Sequence, residues 1–280
     1  MSYLQNLHTH STYCDGTNTL EENVISAIEK GFDSIGFSGH STMIDYPIHG
    51  IIPNYPKYWM TKEETVLYKK EIKELKEKYK DQIDILCGIE YELFSTADLE
   101  GYDYIIGAVH RVPMLEDFID VDLSPEFTKH IVDCYYNGDG MKCVKTYYEQ
   151  MLKLAEYPEI DIIAHFDLLT KFCEKIDLFD MESKEYKNIA FETLEVLAKT
   201  GKFFEINSGA ISRGYRTTPY PAPFILKEMS KLGCKIVITT DCHNKEFLDC
   251  NIKESKLLAK ECGFKEFYVL KDSEFVPVKL

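Results

Sequence analysis

Asn6-Leu7-His8-Thr9-His10-Ser11-Thr12-Tyr13-Cys14-Asp15-Gly16 reads as a strand that ends in metal ligands. His8 and His10 are two residues apart, so on a strand both imidazoles point to one face. Two imidazoles converging on one face can hold a divalent ion. Asp15, in the turn that follows, is placed to serve a neighbouring ion. A His-x-His pair alone is equally the mark of two ordinary strand histidines, so its meaning depends on what the rest of the chain supplies.

Outward from this stretch a pattern repeats: a short apolar strand, a polar or glycine-rich break, then a helix. Strands are expected over about 3–10, 34–38, 83–90, 104–110, 161–165, 203–207 and 235–240. Helices are expected over about 20–30, 62–79, 141–155, 184–199 and 224–232, with a last one near the C-terminus. Thr19 with Glu22 and Thr61 with Glu64 form capping boxes at two helix starts, and Gly31, Gly201 and Gly233 stand where helices stop. The helix at 62–79 carries Val66, Ile72 and Leu75 on its apolar side. A long loop through Pro47, Pro53 and Pro56 follows the second strand. About thirty residues after the fourth strand hold Pro113, Pro125, Gly138 and Gly140, a length more typical of a lid than of a plain connection, with a helical part expected within it. Seven strands alternate with helices and no break in composition marks a linker. The expected architecture is one α/β domain over 1–280, a barrel of parallel strands. A doubly wound open sheet is the alternative, without a glycine-rich dinucleotide fingerprint or a P-loop to support it.

The 280 residues, 45% of them hydrophobic, are enough for such a core. No apolar run reaches the roughly 18–20 residues of a membrane span, and no basic-then-apolar leader opens the chain, so a cytoplasmic protein is expected. Nine cysteines without a C-x-x-C pair argue for reduced thiols. Cys242, between Asp241 and His243, is expected to face the core, because its neighbours occupy the opposite face. Cys14 lacks the C-x5-R phosphate cradle, since residue 20 is Leu. A net charge of -15 argues against general nucleic-acid binding and suits a cationic small substrate. Of 32 basic residues only Arg111, Arg213 and Arg216 are arginine, and all three follow expected strands. Guanidinium binds phosphate through paired hydrogen bonds that lysine cannot make, so these are the candidate phosphate-binding and catalytic cations.

The strand ends hold the stronger signal. The first gives His8, His10 and Asp15, and the second gives His40. Glu90 ends the third, His110 the fourth and His165 the fifth, while Asp241 and His243 follow the seventh. The sixth offers only Asn207. Six of eight histidines fall at strand ends, which a parallel barrel gathers on one face. Nine such side chains exceed the needs of one ion and imply two or three. His49 and His130 lie outside the pattern, with His49 in a loop that could reach a substrate. Asp45, Glu92 and loop tyrosines are further candidates for substrate recognition.

This ordered set resembles the PHP (polymerase and histidinol phosphatase) superfamily from Leu7 to His243. The standalone length and the opening from His8 to Gly16 resemble its histidinol-phosphate phosphatases. The resemblance implies a distorted, TIM-like barrel of seven β/α units with a trinuclear centre of zinc, manganese or iron at the C-terminal ends of the strands. One ion would take His8, His10, Glu90 and Asp241. A second would share Glu90 with His110 and His165, and a third would take Asp15, His40 and His243. The implied reaction is hydrolysis of a phosphate monoester, L-histidinol phosphate to L-histidinol and phosphate, late in histidine biosynthesis. A water between two ions is acidified enough to attack phosphorus, with arginine neutralising the phosphoryl oxygens. Asp241 or His243 is the candidate proton donor to the leaving alcohol. Competing readings are a PHP phosphoesterase for a nucleotide, an oligonucleotide or a phosphotyrosine protein, a metal-dependent amidohydrolase, and a binding module with a decayed site. The oligomeric state is not legible.

Overall fold

The computed structural model describes residues 3–43, 58–114 and 117–280. Seven strands form one parallel sheet: β1 (Gln5–Asn6), β2 (Ser34–Phe37), β3 (Asp84–Glu92), β4 (Tyr104–Ala108), β7 (Ile162–Ile163), β8 (Phe203–Asn207) and β9 (Lys235–Thr239), in that order. Between β4 and β7 a two-stranded hairpin, β5 (Arg111–Met114) and β6 (Asp117–Asp120), stands apart from the sheet. The sheet curls until its ends meet. Thr9 bridges Cys242 in parallel, the His10 N–H donates to the Cys242 carbonyl at 2.8 Å, and the Cys242 N–H donates to the His8 carbonyl at 2.9 Å. The result is a nearly closed seven-stranded barrel, as the strand pattern predicts.

Period-two alternation separates its two apolar layers. Ile105, Phe204, Ile236 and Ile238 face outward to the helices, whereas Ile106, Ile162 and Val237 face inward with Leu7 and Tyr104. Tyr104 fills much of the interior, and its hydroxyl donates to the carbonyls of Leu7 and Phe37. It has room because Gly36 and Gly88 carry no side chain: a Cβ at either position would overlap the tyrosine. A C-terminal hairpin, β10 (Glu266–Lys271) and β11 (Glu274–Lys279), lies against the barrel. Leu270 joins the interior cluster, and the Gln5 amide bonds both the N–H and the carbonyl of Leu270.

The helices are α1 (Leu20–Glu29), α2 (Lys62–Tyr79), α3 (Pro125–Tyr135), α4 (Gly140–Lys153), α5 (Lys184–Ala198), the one-turn α6 (Gly209–Ser212), α7 (Pro223–Lys231) and α8 (Ile252–Glu261). Both expected capping boxes are present. On α2 the buried stripe is Tyr68, Ile72 and Leu75, while Val66 is 67% exposed, so the apolar face runs through Tyr68 and not Val66. The connection from β3 to β4 contains no helix, a distortion of the repeat in line with the expected distorted barrel. The stretch after the fourth strand, expected to be lid-like and partly helical, holds α3, with Ser124 capping it through the Phe127 N–H, and before it the β5–β6 hairpin, which was not expected. Asp45, His49 and the loop prolines Pro47, Pro53 and Pro56 lie outside the described residues. Among the described residues no helix is long and apolar enough to cross a membrane.

Candidate metal centre

The C-terminal strand ends place nine side chains in one cluster. Glu90 sits at its middle on an inward position of β3. One oxygen, Oε2, faces His40 Nδ1 at 2.8 Å, His8 Nε2 at 3.3 Å and His10 Nε2 at 3.6 Å. The other, Oε1, faces His165 Nε2 at 3.1 Å and His110 Nε2 at 3.5 Å. Asp241 Oδ1 lies 3.2 Å from His10 Nε2, 3.7 Å from His8 Nε2 and 3.4 Å from His243 Nδ1. Asp15 lies 3.2 Å from His243 Nε2, 3.5 Å from His10 Nδ1 and 3.6 Å from His40 Nε2. Local backbone geometry helps to aim these groups. His8 and His10 flank Thr9, which the barrel seam holds through its bridge to Cys242, and Asp241 turns just past β9 with φ 48°, a left-handed conformation that aspartate tolerates.

Three sets of potential ligand atoms each fall within 4.8 Å of one another: His8, His10 and Asp241; His10, Asp15, His40 and His243; and His40, Glu90 and His110. Three atoms in this cluster carry a sharper signal. His8 Nε2, His10 Nε2 and Glu90 Oε2 are buried and make no hydrogen bond. Buried polar atoms are seldom left without a partner. Two imidazole nitrogens and a carboxylate oxygen converging in this way suit a divalent cation, so the residues present fit a metal centre.

The electrostatics agree. Burial alone would depress His8, but the carboxylates of Glu205, Glu90 and Asp241 hold it well above the usual histidine value. His40 is raised in the same way against burial by Glu90 and Asp15, and His110 to about 9 by Glu90 and Glu92. His10 falls to about 3 through burial and the neighbouring His243 and His40. Glu90, Asp15 and Asp241 stay well below the carboxylate range: burial opposes ionisation, but cationic neighbours outweigh it. This is a site organised to concentrate negative charge around a cation.

A cavity of about 280 Å³ opens over the cluster, with His40, His110, His165 and His243 on its floor. The β5–β6 hairpin and the segment after it supply one wall through Asp120, Asp122 and Leu123. Lys171 and Tyr215 line another, and Lys171 binds Asp122 at 2.8 Å. Tyr215 is one of the loop tyrosines expected as candidates for substrate recognition, whereas Asp120, Asp122, Leu123 and Lys171 carry no sequence motif and were not expected.

The three arginines part company. Arg213 lines the cavity; its Nη2 binds Asp241 Oδ2 at 3.0 Å and its Nη1 lies 2.9 Å from His243 Nδ1. Arg216 does not line the cavity. It is buried against Asp167, Thr170 and Thr218 and stacks over Tyr220, tying the loop after β8 to the loop after β7. Arg111 is buried and pairs with the wall residue Asp120 across the hairpin at 3.3 Å, its guanidinium over the rings of Tyr58 and Trp59. Of the three arginines expected to meet a substrate phosphate, Arg213 is the one that lines the cavity itself. Glu92 is not turned to substrate either: it is buried, and it accepts from His110 Nδ1 at 2.8 Å and from the His110 N–H at 3.1 Å. Cys242 points away, its thiol donating to the Asn244 carbonyl, as its position predicts. His130 lies outside the cluster on α3, beside Cys134.

One carboxylate was missed. Glu205 is buried on β8, 2.5 Å from His8 Nδ1. The alternation that turns Phe204 and Ile206 outward places Glu205 inside the barrel, and a charge at an inward barrel position was the available signal.

Comparison with known proteins follows the same lines. A protein named probable histidinol-phosphatase from Schizosaccharomyces pombe is 27% identical over 273 residues, covering 91% of this chain and 86% of that relative. A histidinol-phosphatase from Lactococcus lactis is 23% identical, covering 92% and 91%. The crystal structure of histidinol phosphate phosphatase from Lactococcus lactis, complexed with zinc, L-histidinol and phosphate, superposes with a TM-score of 0.70 at 22% identity, covering 98% of each chain. That likeness shows a shared fold. The PHP domain model matches residues 6–209, a span that carries every strand-end ligand candidate except Asp241 and His243. With those two completing the same cluster in space, the chain belongs to the PHP domain family.

Proposed function

We propose that this chain is a metal-dependent phosphatase acting on L-histidinol phosphate. The observation that carries the reading is Glu90, a buried carboxylate with imidazoles gathered on each of its two oxygens, beneath a cavity rimmed by Arg213. The relatives named histidinol-phosphatase support the substrate. In this reading His8, His10, Glu90 and Asp241 hold one ion, Glu90, His110 and His165 a second, and Asp15, His40 and His243 a third. Zinc, manganese and iron all suit this donor set. When bound, the ions supply an acidified water as nucleophile and positive charge beside the phosphoryl oxygens.

The chain's own groups do the rest. Arg213 presents guanidinium to the cavity while its bonds to Asp241 and His243 hold it still, which pre-organises it for a developing negative charge. His243 has a side chain 22% exposed, against 10% for His40 and His110; holding the third ion, it has no proton of its own to give the leaving alcohol. Asp241 is pinned by Arg213 and orients rather than donates. The free state of all nine cysteines supports a reducing, cytoplasmic setting, and the whole chain acts as one catalytic unit on a small molecule.

The test is phosphate release by protein purified with added manganese or zinc, comparing L-histidinol phosphate with nucleotides, sugar phosphates and a phosphotyrosine peptide. Preference for histidinol phosphate by orders of magnitude in kcat/KM is expected. Turnover of another phosphoester alone would overturn the substrate, and a filled site with no phosphatase activity would favour an amidohydrolase.

A further inference from the structure

Glu205 does not line the cavity, yet four groups converge on its carboxylate. Oε1 takes His8 Nδ1 at 2.5 Å and the Thr239 hydroxyl at 2.9 Å. Oε2 takes the His165 N–H at 3.0 Å and the Asn207 amide at 3.0 Å. On the Oε2 side both partners are fixed donors. A backbone N–H can do nothing else, and Asn207 cannot flip because its oxygen accepts the Gly209 N–H at 2.8 Å. On the Oε1 side the hydroxyl can rotate, and the imidazole can carry its hydrogen on either nitrogen. Facing an acceptor-only carboxylate, His8 keeps the hydrogen on Nδ1. That leaves Nε2, the buried, unbonded atom turned to Glu90 and Asp241, as the nitrogen that gives up its hydrogen to an ion.

We propose, on the metal-centre reading above, that Glu205 is a positioning residue: by accepting hydrogen bonds only, it fixes the His8 tautomer and ring so that Nε2 ligates the ion. A glutamine would fit the same space but not the same pattern. Its NH₂ cannot face the two fixed donors, so it must turn towards Thr239 and His8. His8 Nδ1 then becomes the acceptor and the hydrogen moves to Nε2, where it blocks coordination.

The experiment uses the full chain, stripped with a chelator and reloaded with Zn²⁺, read by elemental analysis and by titration. Glu205→Gln is expected to stay folded and to bind the His8-dependent ion about 10–100-fold more weakly, losing it at limiting zinc. Unchanged stoichiometry and affinity in the folded variant would overturn the proposal. Should the variant fail to fold, ¹⁵N-imidazole NMR of the zinc-loaded wild-type chain decides alone. Nδ1 protonated with Nε2 on zinc supports the assignment; zinc on Nδ1, or His8 uncoordinated, overturns it. Neither readout depends on substrate, so a chain that hydrolyses a different phosphoester would give the same result. A wild-type chain that binds no zinc would instead bring down the metal-centre reading and the role of Glu205 with it.

Discussion

Arg213 and Arg216 stand three residues apart and predict opposite phenotypes. Arg213 has its guanidinium at the cavity with Asp241 and His243 as anchors. Replacing it with alanine should lower kcat/KM by about 10²–10³-fold, the scale of losing one pre-organised donor to transition-state charge, with the fold kept. Steady-state kinetics beside a urea denaturation curve tests both halves, and near-normal kcat/KM would sink the phosphate role. Arg216 is paired with buried Asp167, so Arg216→Ala leaves an uncompensated carboxylate and should cost about 3–5 kcal/mol of stability. Denaturant midpoints measure it, and a loss under 1 kcal/mol would mean that the loop holds without the pair. At this scale the sequence was a partial guide. The scarcity of arginine singled out all three, but nothing local distinguishes a guanidinium that faces a cavity from one that fastens two loops. Glu92 was misread for the same reason. Its charge is visible, whereas its engagement with His110 depends on how far β3 runs past Glu90.

Among the elements, the strands were legible and their ends were not. Apolar alternation located all seven barrel strands, but β1 shrinks to Gln5–Asn6 because the chain then changes partner. The Leu7 carbonyl is taken by the Tyr104 hydroxyl, and the backbone from His8 to His10 pairs with Cys242. No local pattern reports such long-range capture. The β5–β6 hairpin was hidden by Pro113, which a strand tolerates only where its missing N–H is not needed. Gly36 and Gly88 are more informative in retrospect, since a glycine inside a strand often marks a close approach. Gly36→Ala should destabilise by about 1–3 kcal/mol through overpacking against the Tyr104 hydroxyl. Combining it with Tyr104→Phe should recover part of the loss, a coupling of about 0.5–3 kcal/mol in a double-mutant cycle. Strict additivity would show that the two residues do not compete for the same space.

For the molecule as a whole, the metal-free and metal-loaded chains should respond to pH in opposite directions. His8, His40 and His110 have raised values when folded, His110 to about 9. Their stabilising contribution is therefore complete below the unfolded value of about 6.5 and fades as pH rises through the folded values. The depressed carboxylates and His10 are already in their folded-state charge forms across that window and do not reverse the trend. With chelator present, Tm should fall between about pH 6.5 and 9. With saturating zinc it should hold or rise, because ligand nitrogens must lose protons to bind and affinity grows with pH. Thermal melts across pH with and without zinc check this, and parallel curves would rule it out. The barrel seam gives this centre a timetable as well. The partners His243 and Asp15 are 228 residues apart in the chain. At a synthesis rate of about 5–20 residues per second, the first ligands wait roughly 10–50 s for the last. Through that interval the His8–His10 pair has no Asp241 beside it, so a nascent chain cannot build the finished cage around a captured ion. The finished cage can therefore select its metal only once the last barrel strand has joined the first.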